Sequence, residues 1–302
     1  MIKAILRGLG ILVGVLVLLI VIVIAVAYID TNSRMSKTYN LPANALSIDM
    51  SKANVARGQH LVVSLGACAD CHGENLAGKT VLEDPALGNF YGRNLTSGAG
   101  GTSDFADEDW VRALRYGLGQ DGRSLLIMPS GGFNSLHDED LASMIAYLKS
   151  LPAVDHEQPE ISVGPLGRLL TLAGMFPLFS AEPIDISAAR PEPVPARADP
   201  AYGHYLVKVG GCSDCHGANL AGGSVPGMDA SVPHASNLTP GGELVGWTVE
   251  DFKKAIREGV TPSGRTLSTS MPWQQYGNMN DEELEAIWLY LQSLEARELD
   301  QN

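Results

Sequence analysis

Cys68-Ala69-Asp70-Cys71-His72 and Cys212-Ser213-Asp214-Cys215-His216 decide how this sequence is read. The chain has four cysteines, and these two pentapeptides hold all of them. A lone C-x-x-C is compatible with a zinc half-site or a dithiol redox pair. A histidine directly after the second cysteine points elsewhere. Two thiols so spaced add across the vinyl groups of a porphyrin, and the next residue turns an imidazole onto its iron. Covalent c-type haem is therefore expected twice, held by Cys68 and Cys71 in one case and by Cys212 and Cys215 in the other. His72 and His216 are the expected proximal iron ligands. No thiol is left over for a disulfide or a nucleophile.

Working outward from the motifs, the second half of the chain repeats the first. Arg57-Gly58-Gln59-His60-Leu61 answers Tyr202-Gly203-His204-Tyr205-Leu206. Gly73-Glu74-Asn75-Leu76-Ala77-Gly78 answers Gly217-Ala218-Asn219-Leu220-Ala221-Gly222, and Asn94-Leu95-Thr96 answers Asn237-Leu238-Thr239. Gly122-Arg123-Ser124-Leu125 answers Gly264-Arg265-Thr266-Leu267. Helices are expected from Asp107-Glu108-Asp109-Trp110 and its counterpart Thr248-Val249-Glu250-Asp251-Phe252. Closing helices are expected over Asp138–Leu151 and Asp281–Leu294, where acids begin the element and apolar residues recur at helical spacing. Glycines and prolines crowd the stretches between, and no alternating strand pattern stands out, so the fold class expected is all-α. Each half is too small to close a generous core alone, and a buried porphyrin would supply apolar surface.

A sixth iron ligand needs a soft or imidazole donor on the opposite haem face. Met128-Pro129 and Met271-Pro272 stand at corresponding places in the repeat, 56 and 55 residues after their histidines. Met144 aligns with Ile287 and Met279 with Leu136, which makes both core positions, while Met175 and Met228 have no counterpart. Met128 and Met271 are thus the expected axial ligands. Among the other histidines His60 aligns with Tyr205, His204 with Gln59 and His137 with Asn280, so none recurs; His156 falls in the linker, and His234, just before Asn237, is the one in a plausible haem-side loop. The N-L-T triplets are expected to close turns near the haem edge through Asn and Thr hydrogen bonds. Arg123 and Arg265 have two readings, as partners of haem propionates or as ordinary exposed arginines after a turn glycine.

Gly8 to Ile29 is an uncharged run of 22 residues. As a helix it measures about 33 Å, enough for a hydrocarbon core of about 30 Å. Lys3 and Arg7 before it place the N-terminus in the cytoplasm and the rest outside. A retained anchor is expected, the rival being a signal peptide with Ala25-Val26-Ala27 as its cleavage site. The formal net charge of −13 excludes nucleic acid as a partner, and it suits either steering toward a basic protein or simple solubility. Residues 153–200 join the halves. Their Pro-rich end, Arg190 to Pro195, reads as a semi-rigid spacer. Val163 to Ala181 is apolar, but Arg168 and the interrupting glycines and prolines argue against a second crossing. A membrane-surface segment or an inter-domain packing helix is expected there.

C-x-x-C-H-G, N-L-T, an acidic helix start bearing Trp or Phe, G-R-x-L, Met-Pro and a closing Y-L-x-S-L helix together resemble class I cytochrome c domains. The likeness covers residues 50–152 and 201–296, and it is nearest to the cytochrome c subunits of bacterial membrane-bound alcohol and gluconate dehydrogenases. The organisation expected is an anchor (1–36), a first cytochrome c domain (50–152), a linker (153–200) and a second domain (201–297). The resemblance implies His72 and Met128 on the first iron and His216 and Met271 on the second. It also implies electron transfer from a dehydrogenase to a quinone or terminal oxidase. Two matching halves, each offering a Met, favour an electron carrier without substrate chemistry of its own over a dihaem enzyme of peroxidase or thiosulfate dehydrogenase type. The location expected is the outer, periplasmic side of the bacterial inner membrane, with redox proteins as partners. A denaturing gel stained for haem should show covalent haem, and a pyridine haemochrome assay should count two per chain; one or none overturns this reading.

Overall fold

A computed structural model describes residues 2–225 and 232–299; Met228 lies outside them. Helix α1 (Ile2–Ser36) is rich in Leu, Ile and Val and is exposed along most of its length. Only its last turns touch the folded body, where Ala27 and Thr31 are fully buried and the Thr31 hydroxyl donates to the Ala27 carbonyl at 2.7 Å. Beyond it follow α2 (Ala43–Leu46), α3 (Val55–Val63), α4 (Ala69–His72), α5 (Asp107–Tyr116), α6 (Ser130–Phe133) and α7 (Asp138–Lys149). After the linker helix α8 (Pro165–Leu172), the same series recurs as α9 (Pro200–Val209), α10 (Cys212–His216), α11 (Val249–Glu258), α12 (Trp273–Tyr276) and α13 (Asp281–Gln292).

The first and last helices of each half pack together, α3 on α7 and α9 on α13. Glycine makes both crossings possible. A Cβ at Gly58 would sit 1.8 Å from the Ser143 carbonyl oxygen, and one at Gly203 would sit 1.9 Å from that of Ala286. Any side chain at either position would force the helices apart. The helix starts are capped as their sequences suggest. The Thr248 hydroxyl accepts from Asp251 N at 3.2 Å, and Asn280 Oδ1 accepts from Glu283 N at 2.9 Å. Leu61, Leu141, Met144, Leu206 and Leu284 fill one hydrophobic core that runs through both halves, and Met279 joins them as expected.

Strands correct the all-α expectation. Lys79–Asp84 (β1) and Gly88–Gly92 (β2) form an antiparallel hairpin, and Ser162–Val163 (β3) adds to the free edge of β2. β1 is largely exposed and β2 buries Phe90 as its one large apolar side chain, so neither shows the alternation that would announce it. Phe90, Val163, Leu178 and Phe179 make a second, smaller core. The linker is laid along the first half. Ile127 N donates to the Leu178 carbonyl at 2.9 Å, Met128 N donates to Ser180 Oγ at 3.0 Å, and Arg190 pairs with Asp138 at 2.7 Å.

The two halves meet through positions that correspond in the repeat. His60 Nε2 lies 2.6 Å from Glu283 Oε2, while the Tyr205 hydroxyl donates to Asp140 Oδ2 at 2.8 Å. His60 corresponds to Tyr205 and Asp140 to Glu283, so the contact is reciprocal, as in an approximate two-fold pair. Near its centre Arg57 donates to Asp140 of its own half at 3.0 Å, to Glu283 at 2.8 Å and to the Tyr202 hydroxyl at 3.1 Å. The His137 ring stacks on Tyr205 with centroids 4.9 Å apart.

Burial alone would push the Glu283 carboxyl up. Hydrogen bonds from His60 and Arg57, with their charge, outweigh it and bring the group down from 4.5 to about 2. An acid depressed on folding stabilises the native state fully above its unfolded value and loses that contribution as pH falls through the folded one. Denaturant unfolding of the haem-loaded protein should therefore weaken by about 3 kcal/mol between pH 4.5 and 2 through this group. Glu283→Gln should flatten that part of the pH profile and lower stability at neutral pH. An unchanged profile would rule out Glu283 as the titrating lock.

Two candidate haem sites

Each C-x-x-C-H motif is wound into a short helix, α4 or α10, that brings its two thiols to one side. Gly73 and Gly217 close these helices with φ of 81° and 78°, a left-handed turn that suits glycine. Gly78 N then donates back to the His72 carbonyl, and Gly222 N to that of His216, both at 2.8 Å. The chain is thereby folded around each histidine.

The imidazoles are oriented identically. His72 Nδ1 donates to the Arg93 carbonyl and His216 Nδ1 to the Ser236 carbonyl, each at 2.7 Å. A carbonyl only accepts, so the proton sits on Nδ1 and Nε2 keeps its lone pair for a metal. Burial lowers the pKa of both rings, against the opposing effect of these carbonyls, which favours the neutral ligand form. The carbonyl-bearing segments are themselves clamped. Asn94 Oδ1 accepts from Thr96 N at 2.9 Å and from the Thr96 hydroxyl at 2.8 Å, while its amide donates to the Val154 carbonyl at 2.7 Å. Asn237 repeats the arrangement with Thr239 and with the Arg297 carbonyl at 2.7 Å. The N-L-T triplets thus close turns as expected, and they also tie each proximal segment to the chain beyond the closing helix.

The two Met-Pro turns share one geometry. Pro129 and Pro272 have φ, ψ of −79°, 50° and −78°, 50°, and the residue after each proline donates to the Met carbonyl at 2.8 Å. Met128 and Met271, like Cys68 and Cys212, are partly buried against the main core. Among the other histidines, His60 and His137 belong to the contact between the halves. His156 Nδ1 bonds the Ala77 carbonyl at 2.8 Å. Arg123 pairs with Asp121 at 2.9 Å, and Arg265 pairs with Glu243, whose other oxygen accepts from the Ser236 hydroxyl. Arg93 and Arg123 line a cavity of about 410 Å³ together with Met35 and Leu125.

These residues fit a porphyrin and do not fit zinc. Burial pushes the Cys68 and Cys212 thiols up to about 12, away from the thiolate that metal capture or disulfide exchange requires. Among the described residues no group of three or more His, Cys, Asp or Glu is placed to hold a metal ion. None of the four cysteines is tied up in a disulfide, so all four can bond to a porphyrin. Two residues beyond Met271, the Trp273 indole N–H is buried without an acceptor, consistent with a site that a further group completes.

The contributions of Ser236, Glu243 and Gln275 were not visible beforehand, because they act through carbonyl, carboxylate and amide groups that follow no motif. Gln275 donates to Asp70 of the other half at 2.6 Å.

The family model described as Cytochrome c matches residues 55–152, and that of Cytochrome C oxidase, cbb3-type, subunit III matches residues 198–291. Each half of the chain is a cytochrome c domain, and each carries one covalently bound haem c. The chain is 28% identical over 295 residues to the fructose dehydrogenase cytochrome subunit of Gluconobacter japonicus, covering 88% of this chain and 57% of that one. It is 28% identical over 290 residues to the gluconate 2-dehydrogenase cytochrome c subunit of Pantoea cypripedii, covering 85% and 63%. A shorter stretch of 94 residues is 29% identical to the alcohol dehydrogenase (quinone) cytochrome c subunit of Gluconobacter oxydans, covering 29% and 20%. The chain therefore spans about three fifths of the length of the first two relatives.

Asn94 is fully buried; removing its amide strands the Thr96 N–H and takes the stronger donor from the Val154 carbonyl, which keeps only the Thr96 hydroxyl at 3.2 Å. Asn94→Ala should cost about 1–3 kcal/mol in denaturant unfolding of the holoprotein. A loss under about 0.5 kcal/mol, the range of neutral surface changes, would contradict the clamp.

Proposed function

We propose that this chain is a membrane-anchored dihaem relay, the cytochrome subunit of a dehydrogenase. Its electrons come from a dehydrogenase or other respiratory donor and pass to a quinone, cytochrome or oxidase. His72 and Met128 bind the first iron, and His216 and Met271 the second. Bound haem would supply a one-electron couple, and ligation by the Met128 and Met271 thioethers would raise its potential and close the iron to other ligands. The chain's own task is to hold the imidazole tautomer, seat the thioether and exclude water.

The matching geometry of the two Met-Pro turns carries this reading. Catalysis at iron needs an exchangeable sixth position, and neither half differs from the other in the way a catalytic haem would. The names of the relatives support a dehydrogenase as the electron source.

The organisation proposed is an anchor over 1–36, haem domains over 50–152 and 201–297, and a linker over 153–200. The domains lie on the periplasmic face of the bacterial inner membrane. Helix α1 continues without a break into contacts with the linker laid along the first domain, since Arg34 pairs with Glu182 at 2.5 Å and lies 4.4 Å over the Phe179 ring. Residues that build such contacts belong to the mature protein, which supports a retained anchor over a cleaved signal.

Met128→Ala and Met271→Ala should each remove roughly half of the Met-to-ferric-iron charge-transfer absorbance and lower one of the two reduction potentials. Spectra unchanged in both variants would overturn the axial assignment. Peroxide turnover by the unaltered chain would favour the enzyme reading instead.

A further inference from the structure

We propose that α8 and the turn after it, residues 165–176, lie in the headgroup boundary of the bilayer and form a second, monotopic membrane contact beside α1. This rests on α1 being the anchor. The apolar run of α1 ends at Ile29, and Asp30 follows. Helix α8 packs against α1, and Arg168 meets it at Tyr28 and Asn32, at the level where Ala27 and Thr31 are fully buried. Arg168 fixes the contact. Its guanidinium lies 4.4 Å over the Tyr28 ring, donates to Asn32 Oδ1 at 2.8 Å and to the Val163 carbonyl at 3.0 Å. At 1.5 Å per residue, α8 is held within about one helical turn of the point where α1 leaves the hydrocarbon.

What α8 shows to its surroundings at that level is apolar. Gly167, Arg168 and Thr171 are buried, while Leu166, Leu172 and Met175 are 43%, 38% and 59% exposed. From Ile161 to Ala181 the one ionisable side chain is Arg168, and it is buried and paired. Exposed Leu and Met without an exposed charge, level with a membrane exit, fit the acyl and headgroup boundary. A packing helix between the domains was the other expectation. The neighbours of α8 are instead α1 and the β1–β2 turn, where Leu166 N donates to the Ala86 carbonyl at 2.8 Å.

The test uses the full haem-loaded chain in vesicles of phosphatidylcholine and phosphatidylglycerol. Haem occupies the native cysteines, so Leu172→Cys and Met175→Cys each take one nitroxide label. Leu16→Cys, in the middle of α1, and Val245→Cys, 65% exposed on the second domain, serve as references. Power-saturation spectroscopy compares label access to oxygen, which concentrates in lipid, with access to a water-soluble nickel chelate. Labels at 172 and 175 should show an oxygen-to-nickel ratio shifted several-fold above that at 245, toward that at 16. A ratio equal to that at 245, with position 16 still in lipid, overturns the α8 contact and leaves the anchor standing. An aqueous ratio at position 16 overturns the anchor and this contact together.

Discussion

In the first turn of each closing helix, one carboxylate is withdrawn from water and bonded across to the other domain. Asp140 receives the Tyr205 hydroxyl, and Glu283 faces His60, with Arg57 between them. A buried carboxylate tolerates few arrangements, because an unmatched charge costs several kcal/mol. The directional bonds that satisfy these two therefore fix how the domains are turned. Both haem sites hang from the same helices. α3 leads within five residues to Cys68, and α9 within three to Cys212, so the orientation of the helix pair is also the orientation of the sites. The Met-Pro helices then reach across. A Cβ on Gly132 would come within 2.8 Å of the Val209 carbonyl, just before the second motif, and Gln275 bonds Asp70 inside the first.

Within this frame the two sites share a scaffold and differ in charge. Each imidazole is held by a carbonyl, each carbonyl segment by an asparagine, and each asparagine by the chain past the last helix. The residue lending its carbonyl is Arg93 in the first domain. In the second it is Ser236, whose hydroxyl donates to Glu243, itself paired with Arg265. Charge beside a haem is one of the means by which a protein sets its potential. The repeat gives the two sites their common geometry, and the difference at this position separates their electrostatics.

The repeat made the haem sites legible, and the same comparison hid the contact between domains. His60 and His137 failed as iron ligands because Tyr205 and Asn280 stand in their places, yet that mismatch is what the interface uses. Two identical surfaces facing each other across a two-fold would set His60 against Glu283 and its copy likewise. Here one copy is an imidazole and the other a phenol, and each meets a carboxylate. The acids at the helix starts were read as dipole partners. That accounts for their place in the helix but omits Asp140 and Glu283 as contacts between domains. The hairpin β1–β2 carries no alternating apolar pattern, because β1 is largely exposed and two of the three buried positions of β2 are glycines.

Only the Pro-rich end of the linker, Arg190 to Pro195, reads as a spacer, and the stretch before it is bonded to the first domain and to α1. It covers Asn94 through Val154, supports Met128 through Ser180, and carries the helix that grips α1. A tether would let the domains swing. These contacts leave little freedom, since α1 is bonded to the first domain by Arg34 and Arg168, and the first domain to the second by Arg57 and Glu283. In the proposed relay both haems then keep fixed positions relative to the anchor. Electron transfer within the chain then needs no domain movement.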